Sequence, residues 1–574
     1  MEYWTKEVTK ELIRAAKNEI KVDLLLKNVS LINVFSGEIK RENVAVHSGV
    51  IVGFGDYSAK RVIDLKGKYL SPGFIESHIH IESSLLGITE FAKAVVKHGT
   101  TTVIADPHEI ANVLGLDGIK FMLEASKYQP ISLYFELPSA VPATTDFETS
   151  GAKLSSEDLI PFSEQKWVVG LGEVMNYPDV FEIKDDVINK IELFKGKIVE
   201  GHAPALVGKY LSAYIVAGAR SDHESFMLEE AKEKLEKGMI VMIREGSIAR
   251  NLKALISLVN ERNWSRFILV SDDLHPLTLQ ERGHLDYTLR EAIKFGIEPV
   301  NAIRMVTLNP ATYFGFKNLG AIAPGYWADM VVFSDFKDLK IERVFKKGVE
   351  VFSNGRFLWK KKPKKVFIRS SVNIKWLELK QFLIPAKGRR ARVTKVIPGE
   401  LITEEEITEV KTEKGYVVSD PENDILKLFV IERHSASGNI GKGLVKGIGL
   451  KKGAIAQTIS HDSHNIVVCG VDDESLFEAV LEILKMGGGI CCAVKGKVLS
   501  KLPLPIAGLM TDEKLDIVVS KYKELLESAR KLGSKLDDPY MTLSFLALPV
   551  IPKLKLTDKG LVDVEKFKFV KLFV

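Results

Sequence analysis

Pro72-Gly73-Phe74-Ile75-Glu76-Ser77-His78-Ile79-His80 is an apolar run that ends in two histidines one residue apart. In an extended segment residues i and i+2 point to the same side, so both imidazoles can face one ion. Such a pair alone is weak evidence, and its meaning depends on the pattern of the chain downstream. From Leu70 onward, apolar strand-like runs alternate with amphipathic stretches of roughly ten to fifteen residues, the pattern of βαβ units. Eight strands are expected: Gly73–Ile79, Thr101–Ala105, Ile131–Leu137, Trp167–Glu173, Gly196–Glu200, Ala219–Ser221, Met239–Arg244 and Phe267–Ser271. Helices are expected at Glu90–His98, Ile110–Ser126, Ala205–Ala217, Phe226–Lys237, Ala249–Arg262 and Leu279–Phe295. Eight parallel strands in about 250 residues is the size of a TIM-type (β/α)8 barrel.

Outward from this core the rhythm changes. An amphipathic helix in Met1–Lys21 is followed by β-rich runs at Val22–Asn33, Asn43–Phe54 and Arg61–Leu70. After Asn309-Pro310, Gly320–Gly355 is again β-rich and holds a hairpin-like Val344–Phe357. The expectation is one composite β-domain built from both flanks of the barrel. Lys360–Lys365 reads as a linker. The remainder mixes strands (Ile425–Glu432, Ile466–Gly470, Ile490–Val494) with helices (Glu474–Met486, Thr511–Leu532). The expected division is 1–70 and 316–365 for the β-domain, 71–315 for the barrel, and 366–574 for a C-terminal α+β domain. Gly487–Gly489 is followed by no Lys-Ser/Thr and is read as a turn, not a phosphate-binding loop.

The ligand-type residues gather at the C-terminal ends of the expected strands, where a barrel builds its active site. Besides His78 and His80 these are Glu173 (strand four), His202 (five), His223 (six) and Asp272 (eight). Singly, each has a plain structural reading as a cap or salt-bridge partner; six at the expected strand ends point to a metal site. The set suffices for two divalent ions, with a carboxylate bridging them through its two oxygens. Its mixed nitrogen and oxygen donors suit Mn2+, Fe2+ or Zn2+ better than Mg2+ or Ca2+. Such an ion lowers the pKa of bound water from ~16 toward ~7.

Composition excludes several other classes. The chain has 574 residues, enough for three or four units of ~150 residues. Its 80 basic and 75 acidic side chains leave a net charge of only +5, with no basic tract interleaved with aromatics, so no nucleic-acid partner is expected. Cys469, Cys491 and Cys492 cannot form a disulfide framework, which favours a reducing, cytoplasmic setting. No signal-peptide core and no apolar run near the ~18–20 residues of a membrane span are evident. A homodimer is admitted but nothing in the sequence calls for it.

The run Pro72–His80 resembles the first-strand motif of the amidohydrolase superfamily, as does the split β-domain ending in Ala323-Pro324-Gly325-Tyr326-Trp327-Ala328-Asp329. Glu173 stands where the dihydroorotase and hydantoinase branch has a carboxylated lysine, which disfavours that branch. A closer resemblance, over nearly the whole chain, is to the bacterial and archaeal adenine deaminase family. It rests on His78-Ile79-His80-Ile81-Glu82-Ser83-Ser84, Asp106-Pro107-His108-Glu109-Ile110-Ala111-Asn112, Gly172-Glu173-Val174-Met175, Glu200-Gly201-His202-Ala203-Pro204, Ser271-Asp272-Asp273 and His461-Asp462-Ser463-His464-Asn465. The resemblance implies metal-ligand roles for His78, His80, Glu173, His202, His223 and Asp272, with Glu173 as the bridge. It implies hydrolytic deamination of adenine to hypoxanthine and ammonia by metal-activated hydroxide, a purine-salvage reaction. Asp272 would take the proton of the attacking water and pass it to the leaving amino group; Asp273 is a rival for that role, because a one-residue register error exchanges them. Glu224 is a candidate for the acid that protonates the ring. His108 and Glu109 are candidates for substrate or a further ion, Arg244 for the base or a rim ion pair, and His461 and His464 for a lid over the barrel mouth. The H-x-E…P-C-x-x-C signature of the other zinc nucleobase deaminases is absent, so deamination must use the barrel route.

Two other readings stay open at this level. One is a different amidohydrolase, such as an N-acetylglucosamine-6-phosphate deacetylase-like enzyme, which would need a sugar-phosphate clamp; the long third domain and the Asp-Pro-His-Glu segment count against it. The other is a non-catalytic barrel relative serving as a binding protein, which would be expected to have lost metal ligands.

Overall fold

The computed structural model describes residues 4–144 and 146–574. Its first helix, Lys6–Ala16, is capped by Thr5, whose hydroxyl accepts from the Val8 N–H, and buries Leu12 and Ala15 against Val22, Leu25 and Val50. A nine-stranded sheet comes next, and both flanks of the barrel contribute to it. Tyr69–Pro72 lies between Val22–Asn33 on one side and Met330–Phe333 on the other, the latter antiparallel with Met330 opposite Pro72. The expected single run Asn43–Phe54 is two strands, Glu38–His47 and Val50–Phe54. Ser48 and Gly49 turn between them, both with positive φ, as a tight hairpin requires. Arg61–Leu70 likewise divides into Ala59–Asp64 and Tyr69–Pro72.

The barrel strands are Phe74–His80, Thr100–Ala105, Ser132–Leu137, Val168–Val174, Ile198–Gly201, Ser221–Asp222, Ile240–Arg244 and Phe267–Val270, all within a few residues of expectation. They are parallel and in sequential order: the first five form one ladder and the last three another. Between the fifth and sixth, Arg220 N–H donates to Val199 O at 3.1 Å. Beyond the eighth, the chain kinks at Asp272 (φ +58°) and its continuation Asp272–Asp273 pairs with Ile79 and His80 of the first strand. Left-handed backbone costs a non-glycine residue about 1–2 kcal/mol, least for Asp and Asn. Here it brings the eighth strand back to the first and closes the ring.

Several helices differ from expectation. Ile110–Ser126 is broken at Gly115 (φ +59°) into His108–Leu114 and Leu116–Ala125. Leu279–Phe295 is broken near Gly283 (φ +105°) into Pro276–Glu281 and Leu285–Lys294. Ala249–Arg262 shrinks to one turn, Leu252–Leu255, with a short 3-10 segment after it. The cause is Asn251: its side chain accepts from Arg244 N–H (2.8 Å) and donates to the carbonyls of His223 (3.1 Å) and Ser225 (2.9 Å). It holds this loop against two barrel strands. Helices Ser156–Ser163 and Asp185–Leu193 add to the expected set.

Beyond the linker, an eight-stranded mixed sheet is flanked by helices Asp473–Met486 and Leu515–Lys531. Along Ile425–Ile431 alternate residues serve two cores. Ile425, Phe429 and Ile431 pack with Leu476, Val480 and Ile483; Leu426, Leu428 and Val430 belong to the core shared with the barrel helices. The same alternation sends Cys491 and Cys492 to opposite faces. All three cysteines are buried and unbridged. Gly487 ends the first helix in the left-handed region, in keeping with the expected turn. Among the described residues no helix is long and apolar enough to cross a membrane.

Candidate active site

The expected ligands converge at the C-terminal mouth of the barrel. His78 and His80 end the first strand, Glu173 lies near the end of the fourth, His202 and His223 directly follow the fifth and sixth, and Asp272 follows the eighth. Two glycines permit the approach. A Cβ on Gly172, beside Glu173, would lie 2.1 Å from the Asp106 carboxylate; one on Gly201, beside His202, would lie 2.2 Å from Ser221 O.

The hydrogen bonds around the two histidines set their ring orientation. His78 Nδ1 donates to Glu200 Oε2 at 2.7 Å, and His80 Nδ1 donates to Asp106 O at 3.1 Å. Each ring then turns an Nε2 lone pair inward, the usual effect of an outer partner on a ligating histidine. His80 Nε2 lies 2.8 Å from Glu173 Oε1 and 3.3 Å from Asp272 Oδ1; His78 Nε2 lies 3.6 Å from each of those oxygens. On the other side, Glu173 Oε2 is 2.6 Å from His202 Nδ1 and 3.5 Å from His223 Nε2. Among the described residues, His78 Nε2 and Glu173 Oε1 are buried without a hydrogen-bond partner.

Acceptor facing acceptor at these distances needs positive charge between them. Burial alone would lower the His80 pKa, but Asp272 and Glu173 outweigh it and push it well up. Burial would raise Asp272, yet Arg244 and the two histidines hold its carboxyl well below the usual carboxylate range. Glu173 is also held low, by His202, His223 and His80 against the same burial penalty. The donor set therefore fits a divalent metal ion, and overlapping groups of three such side chains lie close enough to share one.

Other expected residues take more specific places. Arg244 bridges Asp272 Oδ2 and the Glu224 carboxylate, the latter through two contacts of 2.5 and 2.9 Å, and stands over the Phe226 ring. Of the two readings of Arg244, the ion pair is the one observed. Glu224, engaged as a carboxylate by both guanidinium nitrogens, is poorly placed to be a proton donor. Asp273 points away from the ligand cluster, its Oδ1 accepting from Ser83 Oγ at 2.5 Å. His108 lies with its ring 4.5 Å from that of His80, and Glu109 meets His461 and His464 of the C-terminal unit. All of these border a cavity of about 980 Å3 whose far wall is C-terminal, including Gln457, Ile459, Tyr540 and Phe545.

Sequence reasoning assigned no role to Glu200 or Asp106, which orient the two histidines, although both lie in motifs it singled out. Strand parity was the available signal for Glu200, two residues before His202. It also passed over His275, which lines the cavity against Tyr522 and whose pKa burial depresses to about 4. Glu82 was missed as well: its carboxylate accepts from Ile110 N–H at 3.1 Å, and burial pushes its pKa up to about 7.

A parallel barrel with a histidine–carboxylate cluster at its mouth defines a metal-dependent hydrolase of the amidohydrolase type, and residues 69–351 match the amidohydrolase family. Residues 400–568 match the adenine deaminase C-terminal domain. The chain is 47% identical over 568 residues to the adenine deaminase of Desulfatibacillum aliphaticivorans, covering 98% of this chain and 99% of that one. It is 46% identical over 567 residues to the adenine deaminase of Methanothrix thermoacetophila, with the same coverage. The chain belongs to the adenine deaminase family.

Proposed function

We propose that the protein hydrolyses adenine to hypoxanthine and ammonia at two divalent ions, Mn2+ or Fe2+ with Zn2+ as a further fit. The observation that carries the metal reading is Glu173: one oxygen faces His78 and His80, the other His202 and His223, the disposition of a bridging carboxylate. The substrate follows from the full-length likeness to relatives named adenine deaminase. His78, His80, Glu173, His202, His223 and Asp272 hold the ions. When bound, these polarise a water so that it can add to C6 of adenine at neutral pH.

The remaining work falls to the chain. Arg244 ties down Asp272 Oδ2 and leaves Oδ1 turned toward the histidines, where it receives the proton of the attacking water. Asp272 then returns that proton to the amino nitrogen, the C6–N bond breaks, and ammonia leaves. A positioned proton carrier of this kind contributes roughly 10²–10⁴ in rate. In this reading Glu224 is the counter-ion of Arg244 and not the ring-protonating acid. Asp273 holds the rim, and the C-terminal wall separates the bound base from bulk water. The division of labour places chemistry in 71–315, the composite sheet in 1–70 and 316–365, and the cover in 366–574. The three buried, unbridged cysteines suit a cytoplasmic enzyme.

The test is ammonia release and the adenine-to-hypoxanthine absorbance change with protein reconstituted in Mn2+ or Fe2+. Turnover of adenine but not of N-acetylglucosamine 6-phosphate supports the reading; the reverse preference replaces it with the deacetylase alternative.

A further inference from the structure

The segment Thr458–Asn465 leaves the C-terminal sheet after Ala454–Gln457, crosses the barrel mouth and re-enters at Ile466–Gly470. It is anchored on both sides. Arg433, fully buried, donates Nε to His464 O and Nη2 to Ala507 O (3.0 Å), and its backbone N–H meets Asn465 Oδ1 at 3.2 Å. Asn465 Nδ2 in turn donates to Thr149 O of the barrel at 2.8 Å, and His461 N–H donates to Ser544 O at 3.1 Å. The loop thus presents two imidazoles at fixed positions.

Both meet one carboxylate, Glu109, in the first turn of His108–Leu114. His461 Nδ1 lies 2.7 Å from Glu109 Oε1, and His464 Nε2 contacts Oε2. The His464 tautomer follows from its other nitrogen: Nδ1 accepts from Ser460 N–H at 3.2 Å, so the proton is on Nε2 and points at Glu109. A metal ion among these three groups would need that Nε2 lone pair, so hydrogen bonding is the arrangement the geometry favours over a third ion. Glu109 Oε1 is also 3.5 Å from His108 Nε2, and His108 Nδ1 is 3.9 Å from Glu173 Oε1. An unbroken series of buried polar side chains therefore runs from the C-terminal loop to the carboxylate between the two halves of the metal cluster.

We propose that His461 and His464 are positioning residues: each donates an imidazole N–H to Glu109, the fixed carboxylate orients His108 beside Glu173, and the barrel is competent only with this C-terminal loop in place. The effect on turnover rests on the deaminase reading; the latch itself does not.

The two donors sit at different ring positions, which gives a sharp test. An asparagine amide approximates Nδ1 and a glutamine amide approximates Nε2, so His461→Asn and His464→Gln keep each N–H, whereas His461→Leu and His464→Leu remove it. Loss of one donor to a buried carboxylate should lower kcat/KM about 10- to 100-fold. The matched amides should return within about threefold of the wild type, with metal content per chain unchanged throughout. Hydrogen–deuterium exchange over residues 458–465 and 108–114 should rise in the leucine variants and not in the matched amides, whatever the substrate. Equal losses in amide and leucine variants, wild-type behaviour in all four, or loss of one metal equivalent on removing either histidine would overturn the proposal, the last in favour of a third ion. A wild type without adenine turnover but with the expected exchange pattern refutes the deaminase reading and keeps the latch.

Discussion

Glu200 offers a perturbation whose size can be worked from the structure. It is fully buried, and its Oε2 accepts from His78 Nδ1 at 2.7 Å. Glu200→Leu removes the acceptor without touching a ligand and leaves the Nδ1–H of His78 buried and unsatisfied. Such a group costs about 1–3 kcal/mol, and each 1.4 kcal/mol is tenfold in an equilibrium constant. That corresponds to a metal affinity roughly 5- to 150-fold weaker, in line with the 10- to 100-fold effect typical of outer partners of ligating histidines. Glu200→Gln keeps an oxygen acceptor but loses its charge, so its effect should fall at the lower end. The assay is competition between protein and a chromophoric chelator for Mn2+, followed by activity at saturating metal, where most of the loss should be recovered. An unchanged affinity in Glu200→Leu would refute the argument that this hydrogen bond sets the His78 ligand geometry.

The same geometry sets further expectations. Glu173→Gln removes the charge shared by both halves of the cluster and should cut bound metal per chain, with kcat falling at least about 10³-fold by metal analysis and ammonia assay. Arg244→Met should leave metal content near wild type while kcat drops about 10²–10³-fold, because Asp272 loses the cation that fixes its orientation; unchanged kcat would remove Arg244 from the mechanism. Asp286 tests acid stability outside the cluster. Burial raises its pKa, but His98 and Arg290 outweigh this and bring it down to about 2 from 3.8. A lowered carboxylate pKa stabilises the fold above the unfolded value and that contribution disappears as pH falls through the folded value. The stability gap between wild type and Asp286→Asn should therefore be about 2 kcal/mol at pH 6 and shrink steadily below pH ~4 in urea titrations; a gap that widens on acidification would contradict the assignment.

The sequence made the barrel legible because strand parity and strand ends are local properties. His78 and His80 two residues apart, and acid or imidazole groups at successive strand ends, need no tertiary information to be read. The composite sheet was legible for the same reason, as paired β-rich flanks. What stayed hidden depends on partners distant in sequence. Asn251 turns an apparently helical stretch into a loop by bonding to two strands, which no periodicity in Ala249–Arg262 reveals. The separation of Asp272 from Asp273 depends on the left-handed backbone at Asp272, which sends only the first of the pair toward the histidines. Glu224 reads as an available acid only while its partner Arg244, 20 residues on, is out of view. His461 and His464 lie about 350 residues from Glu109, and only the packing of the C-terminal sheet onto the barrel brings them together.

The most direct test of the account is an activity titration: metal-free protein receives increasing Mn2+ and ammonia release from adenine is followed at each step. The account predicts no turnover without metal, a rise to two equivalents per chain, and a plateau there, as expected if both faces of Glu173 must be filled. Full activity at one equivalent, or turnover by the metal-free protein, would contradict it.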